Sequence, residues 1–185
     1  MALTNSRMIG LGVEAPTFSL EDIASGQQIS LQSFQEKQGL LVMFICRHCP
    51  FVKHVEQELA RIGEDYKDSG LGIVAISSND ARRYPEDSPA RLRQQAEEAG
   101  FSFSYCYDES QSVAKAYSAE CTPDFFLFDA DRRLVYRGQL DDSRPGNSVP
   151  VTGQDLRAAI DAVLAGKAVS QNQKPSVGCG IKWRD

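Results

Sequence analysis

Six consecutive apolar residues, Leu40-Leu41-Val42-Met43-Phe44-Ile45, run directly into Cys46-Arg47-His48-Cys49-Pro50. An apolar run of that length suits a central strand covered on both faces. Proline is accepted only in the first turn of a helix, so a helix is predicted to begin around Arg47 to Cys49. Phe51, Val55, Leu59, Ile62 and Tyr66 then recur at helical spacing, Lys53, Glu56, Glu58 and Arg61 take the other side, and Asp68-Ser69-Gly70 ends the segment. A buried strand that feeds an amphipathic helix commits the chain to an α/β fold. It also sets two thiols at the junction.

The rest of the chain extends that pattern. Leu71 to Ile76 is a second buried run, and Asp124 to Phe128 a third, turned at Asp129-Ala130-Asp131-Arg132 into Leu134 to Gly138 as a hairpin partner. Thr17 to Asp22 and Gln28 to Leu31 alternate apolar and polar residues across Ser25-Gly26 and predict a short leading hairpin. Ser88 and Pro89 have the chemistry of a cap and first residue for a helix carrying Leu92, Ala96 and Ala99, stopped at Gly100. Phe101 to Tyr107 alternates as a strand would, and Asp108 is placed to cap a short helix carrying Val113, Ala114 and Tyr117. Thr152, with Asp155 in capping-box position, predicts a last helix over Leu156, Ile160, Val163 and Leu164. Ser78 to Ser88 and Asp141 to Val149 are polar and are expected as exposed loops. Residues 1–15 lack periodicity. So do residues 167–185, an irregular tail in which only Cys179 and Trp183 stand out. Strands alternating with helices imply parallel crossovers with an antiparallel edge. The expected organisation is one domain over residues 1–166, with a mixed central sheet between helices, followed by the tail.

A chain of 185 residues is long enough for one sizeable core. Its net charge of -5 argues against a nucleic-acid or anionic-membrane surface. No apolar run is long enough to span a membrane, and Met1 to Gly12 lacks the layout of a secretory signal, so the cytoplasm is the expected location. Five cysteines, Cys46, Cys49, Cys106, Cys121 and Cys179, are an odd number for a disulfide scaffold. In a reducing compartment a close pair with scattered singles points to catalysis or metal binding. No nucleotide or flavin signature is present, so no cofactor is expected and electrons should come from an external thiol.

Two thiols three positions apart can close a small disulfide reversibly, and a helix N-terminus favours the thiolate. Cys46 is expected as the exposed nucleophile and Cys49 as the resolving thiol, acting on a disulfide-containing protein or a small thiol substrate through a mixed disulfide. Arg47 and His48 are potential cations between them, expected to lower the Cys46 pKa and make the pair more oxidising than a plain thioredoxin dithiol. A different class of function would use Cys46, Cys49, His48 and His54 as zinc or copper ligands. Spacing weakens it, because His54 points about 140° away from Cys49 on a shared helix. His54 is expected as structural and Cys106 as a buried, inert thiol. Cys121 is open between a site thiol and a structural one. Cys179, flanked by glycines, is a candidate resolving or shuttling thiol.

The order of elements and Cys46-Arg47-His48-Cys49 after a buried strand resemble the thioredoxin superfamily. Thr122-Pro123, before the strand at Asp124, is similar to that superfamily's cis-proline position. The resemblance implies that Thr122 and Pro123 face the pair and that Pro123 presents backbone groups to an extended substrate segment. Val13-Glu14-Ala15-Pro16-Thr17-Phe18 and the tail Pro175 to Trp183 resemble the peroxiredoxin-like, or redoxin, branch. The implied fold is a thioredoxin-like three-layer sandwich with a mixed sheet, an N-terminal hairpin extension and a C-terminal tail. True peroxiredoxins carry a threonine three residues before the peroxidatic cysteine. Here that position is Met43 for Cys46 or Cys46 for Cys49. The resemblance therefore implies dithiol exchange ahead of an antioxidant peroxidase activity.

Overall fold

The computed structural model describes residues 3–184. The chain runs β1 (Leu3–Asn5), β2 (Ser19–Glu21), β3 (Gln28–Ser30), β4 (Gly39–Phe44), α1 (Pro50–Tyr66), β5 (Leu71–Ser77), α2 (Pro89–Ala99), β6 (Ser104–Tyr107), α3 (Ser112–Tyr117), β7 (Cys121–Thr122), β8 (Asp124–Phe128), β9 (Leu134–Gly138), α4 (Gln154–Leu164) and β10 (Val177–Gly180). The main sheet has the order β6-β5-β4-β8-β9. β4, β5 and β6 pair in parallel through helical crossovers, whereas β4–β8 and β8–β9 are antiparallel. This is the mixed sheet expected, with β4 at its centre and every β4 residue buried.

Side chains alternate across β4, β5 and β8, so each face builds its own core. Leu41, Met43, Ala75, Phe125 and Leu127 pack with Val52, Leu59 and Ile62 of α1, Leu92 of α2 and Leu156 and Ile160 of α4. Leu40, Val42, Phe44, Val74, Ile76 and Phe126 pack on the other face with Val113, Ala114 and Tyr117 of α3. Fully burying each such aliphatic or aromatic side chain contributes about 1.5–3 kcal/mol. The β2–β3 hairpin, with Leu20 opposite Ile29, closes over this second face. Across β8 and β9 a fully buried ion pair joins Arg137 Nη2 to Asp124 Oδ2 at 3.0 Å, with the guanidinium 3.7 Å from the Phe126 ring centre. Among the described residues, no helix is long and apolar enough to cross a membrane.

Several expectations need correction. The tail is not irregular, and the first residues are not a structureless leader. β1, β10 and β7 form a second, antiparallel sheet in which Leu3 faces Cys179 and Cys179 faces Thr122. Trp183 packs against the core on the α3 side. The α4 cap also differs. Its N-cap is Gly153, at φ 67, and Asp141 Oδ2 accepts the Thr152 and Gly153 backbone N–H groups at 2.7 and 2.6 Å. A carboxylate from the preceding loop thus serves the helix start, and Asp155 instead accepts from Gln139 Nε2 at 2.7 Å. Nor is the Ser78–Ser88 loop wholly exposed, because Ser78, Asn79, Asp80 and Asp87 are buried polar residues.

Candidate dithiol site

Ile45 N still pairs with Ile76 O at 3.0 Å, so the strand direction carries the chain straight to Cys46. The helix starts late: Cys49 is its N-cap, at φ -70 and ψ 122, and Pro50 is the first helical residue. The positive end of the α1 dipole therefore meets Cys49, whereas Cys46 lies in the preceding loop. Both thiols are fully buried, which corrects the expectation of an exposed Cys46.

The sulfurs meet the Thr122–Pro123 peptide, which is cis. Cys46 Sγ lies 3.4 Å from Thr122 Oγ1, and the Cys49 thiol donates to the Thr122 carbonyl oxygen at 3.2 Å. The two thiols also act on each other's ionisation. Burial, followed by the hydrogen bond with Cys49 and the Asp87 charge, pushes the Cys46 thiol well above its ordinary value. The Cys46 hydrogen bond leads the causes that pull Cys49 down to about 5 against burial, helped by Cys179, Thr122 and the Val52 backbone N–H. Of the two interacting thiols Cys49 is favoured as the thiolate, and its ionisation gives up the bond to the Thr122 carbonyl. A lowered Cys46 pKa was expected, and the direction is the reverse.

The cations do not cause this acidity. Arg47 turns toward α2, donating to Arg91 O at 3.0 Å and pairing with Glu98 at 3.3 Å and Glu86 at 3.8 Å. His48 stacks on Tyr84 and places Nδ1 2.5 Å from Asp87 Oδ2. Asp87 is the centre of this corner. It also accepts the backbone N–H groups of Arg47 at 2.9 Å and His48 at 3.1 Å, and Asn79 Nδ2 at 2.8 Å. Burial pushes its carboxyl upward, but hydrogen bonds from His48 and Asn79 outweigh that and hold it below the usual range. The other ring nitrogen, His48 Nε2, is buried without a hydrogen-bond partner among the described residues.

Cys46, His48 and Asp87 bring one donor atom each within 4.8 Å of one another, a set chemically suited to a zinc-like ion. His54, expected as structural, bonds Ser143 Oγ at 2.7 Å, and the alternative four-ligand metal set is not assembled. Cys106 is buried among the residues of the α3-side core, and burial pushes it up to about 12. Cys121 is likewise buried and raised, its thiol directed at Pro123 O at 3.7 Å. Cys179 lies beside Cys49 rather than on a loose tail, and burial followed by that contact raises it to about 12. Asp87 and Asn79 were missed from the sequence. An acid before Ser88-Pro89 reads as helix-cap chemistry, and no local spacing ties it to Cys46.

This architecture recurs in solved proteins. An uncharacterized conserved protein from Geobacillus kaustophilus is 54% identical, with a TM-score of 0.97 over 100% of this chain and 97% of that one. The thioredoxin domain of a thiol-disulfide oxidoreductase from Bacteroides vulgatus is 22% identical, with a TM-score of 0.58 over 70% of this chain and 89% of that one, and shares the thioredoxin-like fold. In sequence, the chain is similar to thiol-disulfide oxidoreductase ResA of Halalkalibacterium halodurans, at 27% identity over 124 residues. That match spans 67% of this chain and 65%, just under two thirds, of the relative. The model of the AhpC/TSA family matches residues 11–137. The chain belongs to the AhpC/TSA family, on a thioredoxin-like fold.

Proposed function

We propose that the chain is a thiol–disulfide oxidoreductase whose working pair is Cys46 and Cys49, with Cys49 as the attacking thiolate and Cys46 as the resolving thiol. The observation that carries this reading is the placement of Cys49 as the α1 N-cap, against the positive end of the helix dipole, with Cys46 in the loop before it. It reverses the roles expected from residue order alone. The similarity to a relative named as a thiol-disulfide oxidoreductase supports the reaction class.

The Cys49 thiolate attacks one sulfur of a substrate disulfide, the S–S bond breaks, and the departing thiolate takes up a proton. Cys46 then gives up its proton and attacks Cys49 Sγ, which forms the Cys46–Cys49 bond and releases the second substrate thiol. Two electrons pass from the pair to the substrate, and an external thiol restores the pair. The costly step is deprotonating Cys46, because burial favours its neutral form. Asp87 holds the Nδ1 side of His48 and fixes the imidazole beside Cys46, with a ring nitrogen within 4.8 Å of its sulfur. Turnover of oxidised glutathione tests the assignment. Cys49→Ser should abolish the reaction, and Cys46→Ser should stop Cys46–Cys49 closure while leaving the first attack intact. Attack retained in Cys49→Ser and lost in Cys46→Ser would restore the opposite roles.

Peroxide reduction is the second reading, favoured by the family match and by Cys46 itself. Cys46 occupies the position three residues before Cys49, where true peroxiredoxins carry threonine, and it favours the Cys49 thiolate. Peroxide consumption with a thiol donor separates the two.

A further inference from the structure

The pair is covered by the chain's own C-terminal strand. In β10, Cys179 stands opposite Thr122 and Gly180 opposite Cys121. Ser176 Oγ donates to Pro123 O at 2.7 Å. Gly178 is required there, since a Cβ would sit 1.9 Å from the Thr122 carbonyl oxygen. That oxygen is the one facing the Cys49 thiol at 3.2 Å. The register therefore delivers Cys179 to Cys49, and the two side chains lie in the same buried cluster. With β10 docked, Cys46 and Cys49 are 0% exposed and Cys179 3%. Extended segments bind proteins by adding a strand to a sheet edge, where backbone hydrogen bonds hold the segment and side chains specify it. The β7 backbone is such an edge beside the reactive sulfur, and β10 occupies it.

We propose that β10 is a tethered stand-in for a substrate strand, with Cys179 in the place of a substrate cysteine and able to form a disulfide with Cys49. The inference rests on Cys49 being the attacking thiolate. After Cys49 attacks a disulfide RS–SR′ and releases R′S⁻, the Cys179 sulfur attacks Cys49 Sγ. The Cys49–SR bond breaks, the Cys49–Cys179 bond forms, and the proton of Cys179 leaves with RSH. Two protein thiols are oxidised and one outside disulfide is reduced to two thiols. Cys49 thus has two resolving partners, Cys46 from its own loop and Cys179 from the strand above. An outside polypeptide disulfide reaches Cys49 only by displacing β10, and the Cys49–Cys179 bond holds the strand down until an external thiol opens it. Tethering favours this closure because the partner thiol is already present at high effective concentration.

The test is peptide mapping of the full-length Cys46→Ser chain after reaction of the reduced protein with oxidised glutathione and acid quenching. The expected product is a Cys49–Cys179 linked peptide with two glutathione thiols released per chain. A persistent glutathione adduct on Cys49 overturns the tether but leaves Cys49 as nucleophile. An unmodified Cys49 overturns both. Adding Gly178→Val should undock β10, slow the closure more than about 10-fold and leave the adduct; unchanged closure overturns the register argument. A melting transition matching that of Cys46→Ser certifies that variant as folded, and without it the Cys46→Ser map alone decides.

Discussion

Replacing Cys46 by alanine removes the hydrogen bond that contributes most to the acidity of Cys49. A hydrogen bond to a charged group is worth about 1.5–3 kcal/mol, or roughly 1–2 pKa units. S–H is a weak donor, which places the effect near the lower end, about 1 unit. From about 5, Cys49 should therefore rise to roughly 6. At pH 6 its thiolate fraction would fall from roughly 90% to about 50%. The sign follows from the thiolate being the reactive form: alkylation accelerates as pH rises through the pKa and levels off above it. The assay is a brief iodoacetamide pulse at each pH, followed by denaturation and quantification of the Cys49 peptide alone, so the other thiols do not contribute. Cys46→Ser, which keeps a donor, should fall between the native chain and Cys46→Ala. A native inflection near the ordinary thiol value of about 8.5, or an alanine variant with a lower inflection than the native chain, would refute the reasoning.

A thiolate of pKa about 5, compared with the value of about 7 in thioredoxin, stabilises the reduced form at pH 7 by roughly 2.3 kcal/mol, or about 50 mV. Equilibration in glutathione buffers should give a potential near about -220 mV, and a value at or below about -270 mV contradicts it. Asp87→Asn keeps the shape but removes a charge that helps hold the Cys46 thiol up, and should move the pH profile of Cys46 closure onto Cys49 to lower pH. Rapid-quench kinetics should show the first attack by Cys49 nearly unchanged; an equal change in both steps would make Asp87 merely structural. Arg137→Met strands the buried Asp124 carboxylate and should cost about 3–5 kcal/mol in urea unfolding at pH 8. Asp124→Leu added to it should recover most of that loss, and no recovery would mean that the pair is not the cause.

The central layer was legible because β4 and α1 write long signals: an unbroken apolar run, then an apolar face recurring at helical spacing up to Tyr66. β1 and β10 were not, because strands of three and four residues hold too few periodic positions, and two of the four in β10 are glycines. Their pairing rests on a close backbone approach at Gly178, which no hydropathy pattern records. The two cysteines of the site were legible, but residue order suggested Cys46 as the attacking thiol, and the capping geometry behind the proposed reversal was passed over. Pro50 carried the signal, since a proline at the first helical position makes Cys49 the cap and sets the dipole against it rather than against Cys46. Arg47 and His48 were expected to act on the thiols, but they turn instead to Glu86, Glu98 and Asp87, which are distant in sequence. Asp87 was invisible because its role depends on the loop after β5 folding inward to meet the start of α1.

The most direct test of the account is to capture the first covalent intermediate. Reduced native protein is mixed with oxidised glutathione, quenched in acid within the first turnover, and the glutathione adduct is located by peptide mapping. The predicted adduct is on Cys49, disappearing as disulfide bonds close onto that residue. An adduct formed first on Cys46 contradicts the claim that the helix-capping cysteine is the attacking thiolate.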